Sequence, residues 1–448
     1  MLISILKGAF DKLKRAFGKS EPDLPSANPF PDAKQGSVVV VSFGDSRSHP
    51  FKYMAKMLAD AYESRGLHCH VLDLMQATWP NPPLEALFAA NQVRYGVGWG
   101  GVGWDAVLMP KGHTLNAWAS MRKPFFKLIG DHPAYFLDLN LSPHPTFINT
   151  YAFTEHRDFF SRHLKPQGYG SVLALQQMDP LDPDQLDFKA KQNGKIYFLK
   201  NGNDPERLRR DWRARLPESV AAGLIAMSED LRSTLGAERA WRLDDLIISH
   251  FAAQGLDITQ KVKFLAFHIA QLDDYMRRVK STMIAESLLD FPIEVHGECW
   301  DHIDFSGRRA KLVPFGDYAI SRQLIAESLA VIDMAPNTQQ QPHERYIRCA
   351  SRHTLCLTNR NAYLEREFEP LGQPLFEFTP DSIRATVNAV LEEPARHVQI
   401  GREIGAEFKR RYSPTGIVDQ LEMIADQISV QEGEDPQIQP FFIWPKKI

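Results

Sequence analysis

SVVVVSFGDSRSHPFKYMAKMLADAYESRGLHCHVLDL, residues 37–74, decides the fold class. Its first seven residues, SVVVVSF at 37–43, are a short β-branched run with no polar alternation, the pattern of a strand covered on both faces in a parallel sheet. A polar turn, Gly44 to His49, leads into a helix near Phe51–Arg65, and a second strand follows at His68–Leu74. Strand, turn, helix and strand in that order open a doubly wound domain. Further strands are predicted at Ala106–Pro110 and Phe125–Ile129, and the Gly/Trp-rich GVGWGGVGW at 96–104 reads as a mobile loop between elements.

The same order recurs later. Residues 179–194 are rich in Asp and Pro and mark a boundary, after which KIYFLK at 195–200 reads as a strand, NGNDP as its turn and PERLRRDWRARL as a helix. Residues 205–290 have helical period and few strand signals, so they read as a helical insertion before the strand FPIEVHG at 291–297. Strands near Ala310–Pro314, AVIDMAP at 330–336 and HTLCLT at 353–358 then alternate with helices through about residue 430. The predicted division is a first Rossmann-like unit at 37–190 and a second at 191–430, with a tail at 431–448.

Ahead of the first strand, residues 1–19 place Leu2, Ile3, Leu6, Phe10, Leu13 and Phe17 at helical spacing with lysines and an arginine on the remaining arc. Such a basic amphipathic helix either lies on an anionic membrane surface or packs its apolar stripe on the protein, and both readings stay open. Residues 20–36, with four prolines, read as a linker. The end of the chain, FFIWPKKI at 441–448, either joins that helix at a membrane or docks back on the body.

Composition narrows the function. A chain of 448 residues with 44% hydrophobic and 24% charged residues suits a globular protein of two domains. Its net charge of -3 gives no basic field for a nucleic-acid backbone, so no nucleic-acid partner is expected. The four cysteines show no paired spacing, no apolar run reaches the ~18 residues of a membrane span, and no cleavable secretory signal is evident, which together predict a cytoplasmic protein. The fifteen histidines show no metal-ligand spacing, and no nucleophile elbow, P-loop or dinucleotide fingerprint occurs in its proper context. No metal and no cofactor are expected.

The chemistry concentrates in VIDMAPNTQQQPHERYIRCASRHTLCLTN, residues 331–359. A buried strand ends in Pro-Asn, a polar loop crosses over, and Pro342 is predicted to open a helix whose first turn carries His343, Glu344 and Arg345. Unpaired N–H groups and the two cations there suit a diphosphate, and the Glu344 carboxylate suits ribose hydroxyls. The alternative is that Glu344 only complements the helix start and Arg345 is a solvated surface residue. In the first unit, Gly130-Asp131-His132-Pro133 follows the strand Phe125–Ile129 at the sheet end where ligands bind in this architecture. Asp131 or His132 is the candidate catalytic base, against the alternative that Asp131 caps a turn and His132 is a core residue. Gly44, Arg47 and His49 are further candidates for acceptor or phosphate contact.

Ala335-Pro336-Asn337, then His343-Glu344-Arg345, Leu357-Thr358-Asn359 and Tyr363 to Phe368 resemble the group 1 glycosyltransferases, in the branch typified by spore-maturation-like proteins. The resemblance runs back to VHGECW at 295–300 and FLKNGNDPERLRRDW at 198–212, and covers most of the C-terminal half. It implies a GT-B-like α/β fold, two doubly wound Rossmann-like domains facing a cleft, that works without a metal. It further implies a nucleotide-sugar donor on the second domain, held by Asn201, Gly202, Gly297, Asn337, His343, Glu344, Arg345 and Arg348. The acceptor, a glycan, lipid-linked or protein molecule, would lie on the first, in surface polysaccharide or glycolipid assembly. The sequence departs from the family at three places. Arg348 and Gln340 stand where it usually carries two carboxylates, and His353 stands where a glycine normally closes the small-residue stretch. That implies either a more anionic donor or a non-catalytic nucleotide- or glycan-binding protein, such as a scaffold at the membrane.

Overall fold

The computed structural model describes residues 28–44, 50–78, 81–108, 115–141, 146–164, 170–237, 240–314 and 316–431. The amphipathic segment 1–19, the tail 432–448, and Arg47 and His49 lie outside the described residues.

Among the described residues, eight strands come from the first part of the chain: β1 (Val38–Phe43), β2 (His68–Asp73), β3 (Val93–Trp99), the short β4 (Val107–Leu108) and β5 (Leu115–Asn116), β6 (Phe125–Ile129), β7 (Phe147–Tyr151) and β8 (Gly170–Val172). β4 and β5 pair only with each other, antiparallel, and the other six form a sheet in the order β2-β1-β3-β6-β7-β8 with every pairing parallel. Six more strands follow: β9 (Ile196–Leu199), β10 (Ile293–His296), β11 (Lys311–Val313), β12 (Ala330–Ile332), β13 (Leu355–Asn359) and β14 (Leu375–Phe376). They form a second parallel sheet, ordered β11-β10-β9-β12-β13-β14.

The valine run of β1 is buried on both faces, as its lack of alternation predicts. Val39 and Val41 pack with the helix Pro50–Ser64 on one side, and Val38 and Val40 with Leu84, Leu87 and Trp118 on the other. The side-chain period of two in a strand sends alternate valines to opposite layers, so helices must cover both.

Two expectations are corrected here. The segment 96–104 is not a loop throughout, because Val93–Trp99 is an interior strand of the first sheet. A Cβ on Gly96 would stand 2.4 Å from the Trp118 ring, and one on Gly98 2.0 Å from the Val102 carbonyl, so the glycines serve close packing within regular structure. Only Gly100, Gly101 and Gly103, with φ of 63°, 71° and 92°, form the turn. The helix Gly416–Gln431, placed by sequence order with the second unit, packs Ile417, Val418, Leu421, Ile424 and Ala425 against Val39, Val41, Tyr95 and Phe126 of the first. Its apolar stripe finds the exposed half of that sheet's core, and Arg94 seals the edge through Glu422 and Asp426.

Between β9 and β10 lie four helices, Pro205–Arg215, Glu218–Ser233, Leu243–Ala252 and Val262–Ser287. The last buries Leu265, Ile269, Leu272 and Met276 in the second unit's core and reaches the first unit, where the Tyr135 hydroxyl donates to Asp273 at 2.9 Å.

Candidate functional site

In the second sheet the strand order reverses between β9 and β12, and the crevice beyond the carboxyl ends of those strands is where a doubly wound sheet binds ligands. Lys200 follows β9 directly. Its backbone N–H donates to the His296 carbonyl at 3.0 Å, and its carbonyl accepts from the Trp300 indole at 2.9 Å. Asn201 Oδ1 accepts from the Glu298 N–H at 3.0 Å, and the Gly202 N–H donates to the Glu298 carbonyl at 2.8 Å. This lock needs two residues without side chains, since a Cβ on Gly297 would sit 2.1 Å from the Lys200 carbonyl and one on Gly202 2.4 Å from the Trp300 ring. Asn201, Gly202 and Gly297, expected to bind donor, therefore tie two loops together.

The lock leaves Lys200 in a cavity of 270 Å³ with Asn201, Asn203, Arg277 and Arg278, facing Asp131 and Tyr135 of the first unit. Arg277 is held by Asp273 at 2.7 Å and stands 3.5 Å from Asp131, while Arg278 is paired with Asp274 at 2.8 Å. Lys200 has no carboxylate partner among the described residues. Burial, together with the charges of Arg345 and Arg277, lowers its pKa to about 8 against the opposing pull of Asp333 and Asp131. Lys200, Arg277 and Arg278 were missed at the sequence level. The signal for Lys200 was a cation directly after a buried strand; for the arginines it was the cluster Asp273, Asp274, Arg277 and Arg278 within one helix.

The His-Glu-Arg segment is arranged differently from expectation. The helix spans Glu344–Ala350, about two turns, and begins after Pro342, with His343 as its N-cap residue. At the end of β12, Asp333 is fully buried, and both His343 Nδ1, at 3.0 Å, and Arg345 Nη1, at 2.6 Å, are bound to it. Burial alone would raise the Asp333 pKa, but the charges of His343 and Arg345 overcome it and hold the carboxyl well below the usual range. The cations expected to meet a diphosphate thus neutralise an internal carboxylate. Arg348 lies on the Tyr318 ring at 4.2 Å, donates to Ser321 Oγ at 2.8 Å, and pairs with Glu344 at 3.5 Å. His353 has φ of 50°, a left-handed conformation that glycine adopts without strain.

On the first unit, Gly44 ends β1 beside Val102. His132 caps the turn at Pro133–Phe136, its Nδ1 accepting the Ala134 N–H at 3.1 Å. That bond places the ring proton on Nε2, and burial lowers the pKa to about 4. At neutral pH His132 is then a neutral ring that offers a donor at Nε2. Asp131 is more than half exposed beside Arg277.

A larger cavity, 560 Å³, lies on the other side of the loop 131–136, between His132, Glu155 and His156 of the first unit and Trp241, Asn337 and Gln339 of the second. Asn337 Oδ1 accepts the Trp241 N–H at 2.7 Å and so fixes the helical insertion to the loop after β12. Among the described residues no cluster of His, Cys, Asp or Glu is placed to hold a metal ion, and no helix is long and apolar enough to cross a membrane.

No curated protein matches the chain. Of solved structures, sucrose-phosphate synthase from Thermosynechococcus elongatus is similar over 89% of this chain and 100% of its own, at 8% identity and a TM-score of 0.50. Anabaena HepE in complex with UDP-glucose is similar over 88% of this chain and 99% of its own, at 10% identity and a TM-score of 0.44. An alpha-glucosyltransferase in complex with UDP-glucose and DNA containing an abasic site matches over 87% and 99%, at 7% identity and a TM-score of 0.47. Residues 277–423 match the family model described as "Glycosyl transferase-like", and the two parallel sheets have the GT-B-like arrangement.

Proposed function

We propose that this protein transfers a glycosyl group from a nucleotide-sugar donor to a hydroxyl-bearing acceptor in the cleft between its two sheets. The observation that carries the reading is Lys200, a cation with no ion-pair partner among the described residues, at the switch point of the second sheet. A diphosphate leaving group develops negative charge as the glycosidic bond breaks, and a pre-positioned ammonium in a partly dry cavity stabilises that charge more than the ground state. Arg277 and Arg278, held rigid by Asp273 and Asp274, add donors on the same wall. Asp131, on the facing unit, is the group positioned to accept the acceptor's proton, an effect of about 10²–10⁴ in rate. The glycosyl-transferase-like match over 277–423 supports this reading. It extends to a metal-independent reaction on a glycan, lipid-linked or protein acceptor in surface polysaccharide or glycolipid assembly, with residues 1–19 on the membrane face.

A second reading has its own observation. Arg348 and Gln340 stand where the family carries carboxylates, and Arg348 is stacked and paired. That favours a nucleotide- or glycan-binding protein without turnover.

Thermal stabilisation by UDP, GDP, dTDP, CMP and their sugar conjugates, with EDTA present, tests both. A selective shift lost in Lys200→Ala, together with release of free nucleotide from the matching conjugate, supports transfer. The shift without nucleotide release supports the binding reading, and no shift with any of them rejects the nucleotide-sugar site.

A further inference from the structure

The two cavities flanking the loop 131–136 differ in chemistry. The smaller holds Lys200, which has no ion-pair partner among the described residues. In the larger, the cations are already matched: Arg162 meets Asp244, and Arg242 meets Asp245 at 2.7 Å. What remains there is a set of hydrogen-bonding atoms. Glu155 accepts at Oε1 from the N–H groups of Gln339, at 2.6 Å, and Gln340, at 3.1 Å, while its Oε2 is buried without a partner among the described residues. His156 is 3% exposed, and its Nδ1 also lacks a partner among the described residues. The Asp131 main chain engages this ring, which leaves Nδ1 as the free lone pair, and burial keeps the ring neutral. Beside it, His132 presents an Nε2–H donor, its ring 5.0 Å from that of His156. Phe159, Trp241 and Leu243 supply apolar wall. Buried acceptors without partners are costly unless a ligand satisfies them.

We infer that this 560 Å³ cavity binds a neutral, hydroxyl-rich ligand, a glycan lacking phosphate or carboxylate, through Glu155, His156 and His132 with Trp241 against its apolar face. Hydroxyls donate to the two free acceptors and accept from the imidazole, whereas an anion would meet the Glu155 carboxylate with no cation left to balance it. The volume is of the size, about 300–1,000 Å³, that encloses a small ligand. The inference rests on the transfer reading in assigning this ligand as acceptor, although the recognition chemistry stands apart from it.

The test is saturation-transfer NMR and calorimetry on the full chain with methyl glycosides and trisaccharides of glucose, galactose, mannose and N-acetylglucosamine. Their 6-phosphates and uronic acids form the second arm, and each is measured with and without UDP. Neutral glycosides should bind about tenfold or more tightly than their anionic counterparts. His156→Phe, which keeps a ring and removes the acceptor, should weaken them by roughly tenfold, as loss of one buried hydrogen bond does, while UDP affinity holds. Anionic sugars binding as well as neutral ones, no neutral sugar binding at millimolar concentration, or a neutral affinity unmoved by His156→Phe would overturn it. Should that variant not fold, the neutral-to-anionic ratio of the natural chain decides. Glycan binding without nucleotide binding upholds the inference and removes the transfer reading, and nucleotide binding without glycan binding does the reverse.

Discussion

Asp333 has no exposed surface, and the two cations that meet it come from a single turn, so one carboxylate fixes where His343 and Arg345 point. Replacing Asp333 with Ala removes the ion-pair partner of the largely buried Arg345, which costs ~3–5 kcal/mol. Urea denaturation of Asp333→Ala should show that loss; a change within error would mean that both cations find solvent. Lys200 is the opposite case, a cation left open. Its pKa is depressed to about 8, so it carries charge below that pH and loses it as pH rises, and an anion bound beside it pulls the pKa back up. Nucleotide affinity should therefore fall as pH climbs through about 8. Lys200→Arg should keep the affinity there, because a guanidinium does not titrate, and Lys200→Ala should be weak and flat across the range. Calorimetry at pH 7 and pH 9 on the three proteins checks the pattern. The sequence showed the His-Glu-Arg turn but not its partner: Asp333 reads as one residue of a strand, and its pairing with residues ten and twelve positions later depends on how the loop folds back.

The strands whose burial is two-sided were legible, β1 above all, because a run of four valines has few other uses. β3 was not, since Gly96 and Gly98 lower its apparent strand character for a reason that lies in Trp118, Phe125 and the Val102 carbonyl, all distant from a local reading. The helix Gly416–Gln431 was legible as a helix but not as part of the first unit, since its partners are more than three hundred residues away in β1 and β3. Leu421 is fully buried in that junction, and Leu421→Ala should cost ~2–5 kcal/mol in urea denaturation, with aggregation on heating as the first sheet's apolar face opens. An unchanged stability would mean that the helix is not docked in solution. The loop lock around Lys200 makes a sharper demand. At Gly297 a single methyl would strike backbone, not a movable side chain, so Gly297→Ala should displace Lys200 and reduce nucleotide affinity even in preparations that remain folded by circular dichroism.

Across the whole molecule, the two sheets are held face to face by contacts at their carboxyl ends. Glu155 accepts from two backbone N–H groups of the loop after β12, Gln341 exchanges hydrogen bonds with Thr154 at 2.8 and 2.7 Å, Tyr135 donates to Asp273, and Arg322 meets Asp179 at 3.2 Å. The Thr154, Glu155 and Tyr135 contacts join loops that border the two cavities, so the arrangement that closes the cleft also shapes the sites within it. Because these bonds border both cavities, we expect them to act as a latch on ligand exchange as well as a scaffold. Glu155→Ala combined with Gln341→Ala removes partners from three N–H groups and one hydroxyl. At ~1–3 kcal/mol for a buried group left unsatisfied, the closed-to-open ratio should drop by about 5–150-fold. Small-angle scattering of the ligand-free double variant should then give a larger radius of gyration than the natural chain, and stopped-flow mixing should give faster association of whichever nucleotide stabilises the protein. A radius and an association rate both equal to those of the natural chain would show that the remaining contacts, among them the helix Gly416–Gln431, the Tyr135–Asp273 bond and the Asp179–Arg322 pair, hold the interface, and that exchange proceeds without opening.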